Sequence, residues 1–223
     1  DPNDTDWGEG VVPPDQGCWM TKETLPDTEE DVVWKNTPVD KLWVLDKLLL
    51  SKALGYKCGP TGIDVPKPGY YIVRPCVNAL GLGLGAEKVW LEKETMHLPY
   101  GYFWCEWFEG RHYSVDYKFG NQLFCVEGFK SENTFTHWDK WIKINHVILL
   151  PEVIGNHFIN EPALNVEYIG DKVIEVHLRS NEDFAGNISE FVPVWEGQTK
   201  TPPKGYKYKD YPDVHGRIGA FIK

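Results

Sequence analysis

The segment IEVHLRSNEDF carries Glu175, His177 and Arg179 at alternate positions, with Asn181 just beyond. On a strand this spacing turns the three side chains to one face, while Ile174, Val176 and Leu178 take the other. A carboxylate, an imidazole and a guanidinium in one row suit a magnesium-phosphate site, the carboxylate holding the hard cation and the arginine meeting phosphate oxygens. A salt-bridged surface row has the same pattern, so this segment leaves both readings open. A second run, CEWFEGRHYSVDY, sets Glu106, Glu109, His112, Ser114 and Asp116 among aromatic and β-branched residues. Residues 112, 114 and 116 point to one face, as a site or as the solvated side of an antiparallel sheet. The third run is NALGLGLGA, with Gly81, Gly83 and Gly85, directly after GYYIVRPCV. Arg74 places a cation at the end of that strand-like run, and the free N–H groups of a glycine loop can fold over an anion. The loop lacks the Lys-Ser/Thr of a Walker-type phosphate loop.

Other chemistries fit less well. The seven histidines show no HExxH or tight His/Cys spacing, and no GxSxG elbow is present, which argues against zinc peptidase and serine hydrolase chemistry. Cys18, Cys58, Cys76, Cys105 and Cys125 lie far apart, without a CxxC pair. They read as reduced, mostly buried thiols of a cytoplasmic protein. The net charge of -10 opposes general nucleic-acid binding, which needs a Lys/Arg surplus. A local exception is KTPPKGYKYKDYP from Lys200, which reads more simply as a solvated C-terminal loop with packed tyrosines. No apolar run approaches the length of a membrane span, and no signal-peptide pattern opens the chain. The first residue is not methionine, which leaves a processed or missing start as an expectation.

These residues need elements to position them. With 223 residues the chain can bury a core without disulfide staples. Thr37-Pro38 should open a single amphipathic helix, VDKLWVLDKLLLSKAL, with Gly55 as its stop. GYYIVRPCV should be a strand, and AEKVWLEKE a strand or short helix. GYFWCEWFEG, RHYSVDYKFG and QLFCVEGFK look like three consecutive antiparallel strands separated by short turns. A helix is expected within residues 136–156, limited by Pro151. NVEYIGDKVIEVHLR reads as a hairpin turning at Gly170-Asp171. A strict two-residue turn there pairs Glu167 with Ile174 and puts Glu167 and Glu175 on opposite faces. Only a bulge or a longer loop brings the two carboxylates together. The expected class is α+β, dominated by antiparallel strands.

The order helix with Asp46-Lys47, Arg-Pro strand, glycine loop, E-W-F-E-G-R-H-Y-S-V-D, then I-E-V-H-L-R-S-N resembles the ATP-grasp superfamily over roughly residues 40–184. The resemblance implies two lobes rich in antiparallel strands with ATP between them, and a magnesium- and ATP-dependent ligase. A carboxylate would be activated as an acylphosphate and attacked by an amine or similar nucleophile, the substrates being small molecules or peptides. Under the resemblance, Arg74 stands at the phosphate-contacting lysine and Lys47 matches a second one, with Gly81, Gly83 and Gly85 as a lid over phosphate. Glu106, Trp107, Phe108 and Glu109 would form the hinge whose backbone meets adenine, and His112 a nucleotide-contacting position. Glu175 would hold magnesium, with Glu167 beside it; His177 replaces the family's metal-binding Asn, leaving Asn181 as a substitute. Arg179 would face phosphates or the acyl intermediate and act, with Arg74, in catalysis.

The implied organisation is an acidic irregular segment (1–36), a small lobe (37–102), a larger antiparallel-sheet lobe (103–199) and a basic aromatic tail (200–223). Only about forty residues precede the helix where the family carries a substrate domain, so a protein partner is one source of the substrate site. The alternatives are a non-catalytic nucleotide- or partner-binding module on the same fold, or an aromatic-rich nucleic-acid- or carbohydrate-binding domain.

Overall fold

A computed structural model describes residues 29–77, 83–130, 135–214 and 216–223. The chain divides into two units, Asp1–Asn36 and Thr37–Lys223. In the first, the described part is helix α1 (Glu29–Asn36), where Asn36 Nδ2 donates to the Val32 carbonyl at 2.8 Å.

The second unit is built on two antiparallel sheets. β1 (Cys58–Pro60), β2 (Gly69–Pro75), β3 (Glu87–Leu91) and β4 (Tyr102–Glu106) form a four-stranded sheet in the order β1-β4-β2-β3. β5 (His112–Lys118), β6 (Asn121–Phe129), β7 (Lys140–Ile144), β8 (Leu164–Ile169), β9 (Lys172–His177), β10 (Glu190–Trp195), β11 (Lys207–Val214) and β12 (Arg217–Ile222) form an eight-stranded sheet. Its order is β11-β12-β10-β7-β6-β5-β8-β9. AEKVWLEKE is therefore a strand, and the tail from Lys200 supplies β11 rather than a solvated loop. Three strands do not run consecutively: β5 and β6 pair, but β4 belongs to the smaller sheet. The chain crosses between sheets at Gly110, whose φ of +143° and approach to Gly170 leave no room for a side chain.

The single helix expected at residues 39–54 is broken in two. Val39–Leu45 is a 3-10 turn, and α2 spans Lys47–Ala53. Asp46 is extended (φ −91°, ψ 111°), and its carboxylate accepts from the N–H groups of Leu48 and Leu49 at 2.8 and 3.0 Å. A local cap thus competes with helix continuation and wins, because the same residue bridges Val77 and Lys47 N–H donates to the Cys76 carbonyl at 2.7 Å. The N-cap position of the 3-10 turn falls on Pro38 rather than on the expected Thr37, and Pro38 makes no side-chain cap bond. Within residues 136–156, Lys140–Ile144 is strand β7, and helix α3 (Glu152–Phe158) starts only after Pro151.

Each sheet has an apolar core. In the smaller, Val65, Tyr71, Val73, Leu91, Leu98 and Trp104 pack together, and the Trp104 indole N–H donates to the Ile63 carbonyl at 2.7 Å. In the larger, Val126, Phe184, Phe191 and Ala220 cluster on one face, joined by Phe124, Trp141 and Ile222. Cys105 and Cys125 are buried, and Cys58 and Cys76 partly so; all four are free thiols. Among the described residues no helix is long and apolar enough to cross a membrane.

Candidate functional site

The β8–β9 hairpin turns at Gly170-Asp171 with the tight geometry its sequence suggests: Ile169 pairs with Lys172 and Tyr168 with Val173. The register then shifts, and Glu167 faces Glu175 rather than Ile174. Ile174 is the extra residue of a bulge, which leaves it out of the ladder and sets Val173 and Val176 on one face. Directly paired residues share a face, so two carboxylates now stand side by side. Ser114 pairs with Glu167 on the next strand and extends the row.

Cations converge on this pair from the smaller sheet and from α2. Lys47, 5% exposed, puts Nζ 3.2 Å from Glu175 Oε2. Arg74, on β2, donates from Nη2 to the Ile174 carbonyl at 2.7 Å, the acceptor that the bulge frees. Its guanidinium lies 5.5 Å from the Phe103 ring centroid, and its buried Nε has no hydrogen-bond partner. The bond from Lys47 N–H to Cys76, just past β2, brings the two cations together. On the carboxylate side, His112 Nε2 lies 3.0 Å from Glu167 Oε2 and His177 Nε2 lies 3.5 Å from Glu175 Oε1.

Electrostatics follow from this crowding. Burial alone would raise the Glu175 carboxyl, but Lys47, His177 and Arg74 outweigh it and hold it at about 2. Burial likewise opposes ionisation of Glu167, yet the hydrogen bond and charge of His112 bring that carboxyl below its ordinary value. Burial pulls Lys47 and Arg74 down, with Glu175 opposing in both cases.

An aromatic wall stands beside Glu167. The His112 ring lies 4.6 Å from Trp138 and 5.4 Å from Trp141, edge-on to both. Gly128, paired with His112 across β5–β6, makes room: a Cβ there would sit 2.7 Å from each indole. A cavity of about 280 Å³ opens between Arg111, His112, Glu127, Lys130 and Trp138. Lys130 lies 4.6 Å from the Phe135 ring centroid and 5.2 Å from Trp138, and Phe135 stands edge-on to Trp107. Lys88 Nζ, from β3, lies 4.3 Å from the Trp107 ring centroid.

The remaining expected positions fall as follows. Glu106 ends β4, where Lys57 N–H donates to its Oε1 at 2.9 Å; Phe108 packs edge-on against Tyr56, and Glu109 is exposed. Gly83 and Gly85 lie in the turn before β3, with the Phe135 carbonyl next to Gly83. Gly81 lies outside the described residues. Arg179 is not on the strand row: β9 ends at His177, and Arg179 donates from Nη1 to the Ser180 carbonyl at 3.1 Å. Asn181 Oδ1 accepts from Asp183 N–H at 3.1 Å, its own N–H donates to Asp116 Oδ2 at 3.0 Å, and its Nδ2 donates to Oγ of Ser114, the residue paired with Glu167, at 3.3 Å. Asn165 Nδ2 joins Asp116 and Ser114 at 2.8 and 2.7 Å, so Ser114 and Asp116 are buried network members rather than a solvated face.

Two observations bear on what this place could hold. Glu167 and Glu175 are hard oxygen donors of the kind magnesium takes one or two at a time, completing its shell with water and phosphate. The orphaned Arg74 Nε beside them is a buried donor suited to an anion. Among the described residues no group of three or more His, Cys, Asp or Glu side chains is arranged to hold a metal unaided. Trp138, Trp141, Lys130 and Lys88 were not foreseen from the sequence. The one signal was Gly128 inside an otherwise aromatic and β-branched strand, a mark of close approach.

No family model matches the chain, and no curated protein matches it. Solved structures do. A crystal structure of N5-carboxyaminoimidazole synthetase from Staphylococcus aureus complexed with ADP superposes with a TM-score of 0.52 at 13% identity, covering 81% of this chain and 67% of that one. An ATP-grasp superfamily protein from Archaeoglobus fulgidus (TM-score 0.47, 15% identity, 80% and 63% covered) also matches. So does an L-amino acid ligase from Bacillus licheniformis (0.46, 13%, 81% and 66%). The chain thus spans 63–67% of the length of these proteins. The fold is ATP-grasp-like, an α+β arrangement of two antiparallel sheets.

Proposed function

We propose that the chain binds ATP with magnesium between its two sheets and acts as a ligase, activating a carboxylate as an acylphosphate for attack by an amine. The observation that carries this reading is the convergence of Lys47 and Arg74 on the paired carboxylates Glu167 and Glu175. Phosphoryl transfer asks the protein for positioning and charge neutralisation rather than a nucleophile, and this set supplies both. In this reading the smaller sheet, with Arg74 and the turn at Gly83 and Gly85, covers phosphate. The backbone of Glu106 to Glu109 meets the base, with Trp107 and the Trp138 wall enclosing it. Glu167 and Glu175 would hold magnesium, whose charge would neutralise the phosphate oxygens. Arg74 would use its free Nε on the same oxygens. Arg179 would face the transferred group, and its charge is already felt by Asp116.

The substrate carboxylate attacks the terminal phosphorus and ADP leaves; the amine then displaces phosphate from the acyl carbon. Isothermal titration with ATP and magnesium tests binding, and the absence of heat with the wild type would end this reading. Arg74→Ala should lose nucleotide affinity while keeping its far-ultraviolet circular dichroism. ADP release dependent on an added acid and amine separates a ligase from a module that only binds nucleotide.

A further inference from the structure

We propose that Lys47 occupies the metal's place while the nucleotide is absent, so that a divalent cation is admitted only with, or after, the phosphates. The proposal rests on the ATP and magnesium reading above. Two carboxylates paired across β8 and β9 and facing the same way require cations nearby. One of them is Lys47 Nζ, 3.2 Å from Glu175 Oε2 and almost wholly buried.

Arg74 and Lys47 differ in how free they are to leave. Arg74 is fixed by the Ile174 carbonyl and by the Phe103 ring, so its guanidinium stays whether or not a ligand is present. The Lys47 ammonium rides a flexible four-carbon stem from the first turn of α2, whose backbone is pinned at Asp46 and Cys76. It can therefore swing without disturbing the helix. A dication approaching Glu175 with Lys47 in place meets a like charge at short range. Polyphosphate removes that obstacle, because it offers the ammonium more negative charge than one carboxylate does. Lys47 would pass from Glu175 to phosphate, and the vacated oxygen would become a metal ligand.

The test uses manganese as the probe, with free ion counted by electron paramagnetic resonance on the full chain and no nucleotide present. Wild type should bind manganese weakly. Lys47→Met should bind it at least about tenfold more tightly, since a unit charge facing the ion has been removed. Adding Glu175→Gln to Lys47→Met should abolish the gain. Equal affinity in wild type and Lys47→Met, or no manganese binding by either, would overturn the proposal. Should Lys47→Met fail to fold by thermal melt, Lys47→Gln, which keeps a donor for Glu175, carries the same expectation. ATP binding by the wild type is measured separately. If it is absent while Lys47→Met gains manganese, the functional reading and the nucleotide-driven exchange fall, and only the competition of Lys47 with a metal at Glu175 stands; the converse result removes only the exchange.

Discussion

Glu175 is an acid kept ionised by its surroundings. Its carboxyl is held at about 2 against an ordinary value of 4.5, so the unfolded chain takes up its proton more readily than the native one. The contribution to stability is complete above the unfolded value and disappears as pH falls from about 4.5 toward 2. Urea denaturation across that window should therefore show wild type losing stability steeply, and Glu175→Gln losing less. A slope unchanged by the substitution would assign the acid sensitivity elsewhere. This residue was legible in the sequence because alternation alone put Glu175 and His177 on one face. Its partner was not: Lys47 sits in a run that reads as an unbroken helix, and nothing in the run announces that Asp46 stops it.

At the level of elements, that stop is a positioning device. Asp46 caps α2 and ties its first turn to the exit of β2, so Asp46→Ala should lower stability by about 1 kcal/mol, the usual worth of such a cap. Thermal or urea melts would measure it, and a change below a few tenths would mean the tie to Cys76 suffices. Strand β6 makes a different demand. Gly128→Ala would press a methyl into Trp138 and Trp141, and we expect a loss of about 1–3 kcal/mol with an altered near-ultraviolet dichroism of the indoles. An unchanged aromatic spectrum would show that the wall yields easily. The strands themselves were readable from β-branched and aromatic content and from turn residues. Which sheet a strand joins was not, since β4 and β5 are separated by the same kind of short glycine turn that elsewhere joins partners.

For the whole molecule, the four-stranded and eight-stranded sheets are joined where β4 passes into β5, and Gly170 N–H donates to the Arg111 carbonyl at 2.8 Å beside that crossing. If nucleotide lies between the sheets, hydrogen exchange with ATP and magnesium should slow in the turn around Gly83 to Ala86 and at Trp107 and Phe108. The strands β10 to β12, remote in the sheet order from β8 and β9, should exchange as before. Slowing confined to β10 to β12 would move the ligand away from Arg74. The α+β class and the strand-rich architecture were accessible from residue patterns, because each pattern is local. The pairing of Glu167 with Glu175 was not, because one inserted residue decides it and either register satisfies the same local preferences.

That inserted residue, Ile174, contributes a backbone carbonyl rather than a side chain to Arg74. Every amino acid carries the same carbonyl, so the position constrains chain length far more than residue identity. A substitution scan would score it as permissive, whereas a single-residue deletion scan would score it among the least tolerant points of the hairpin.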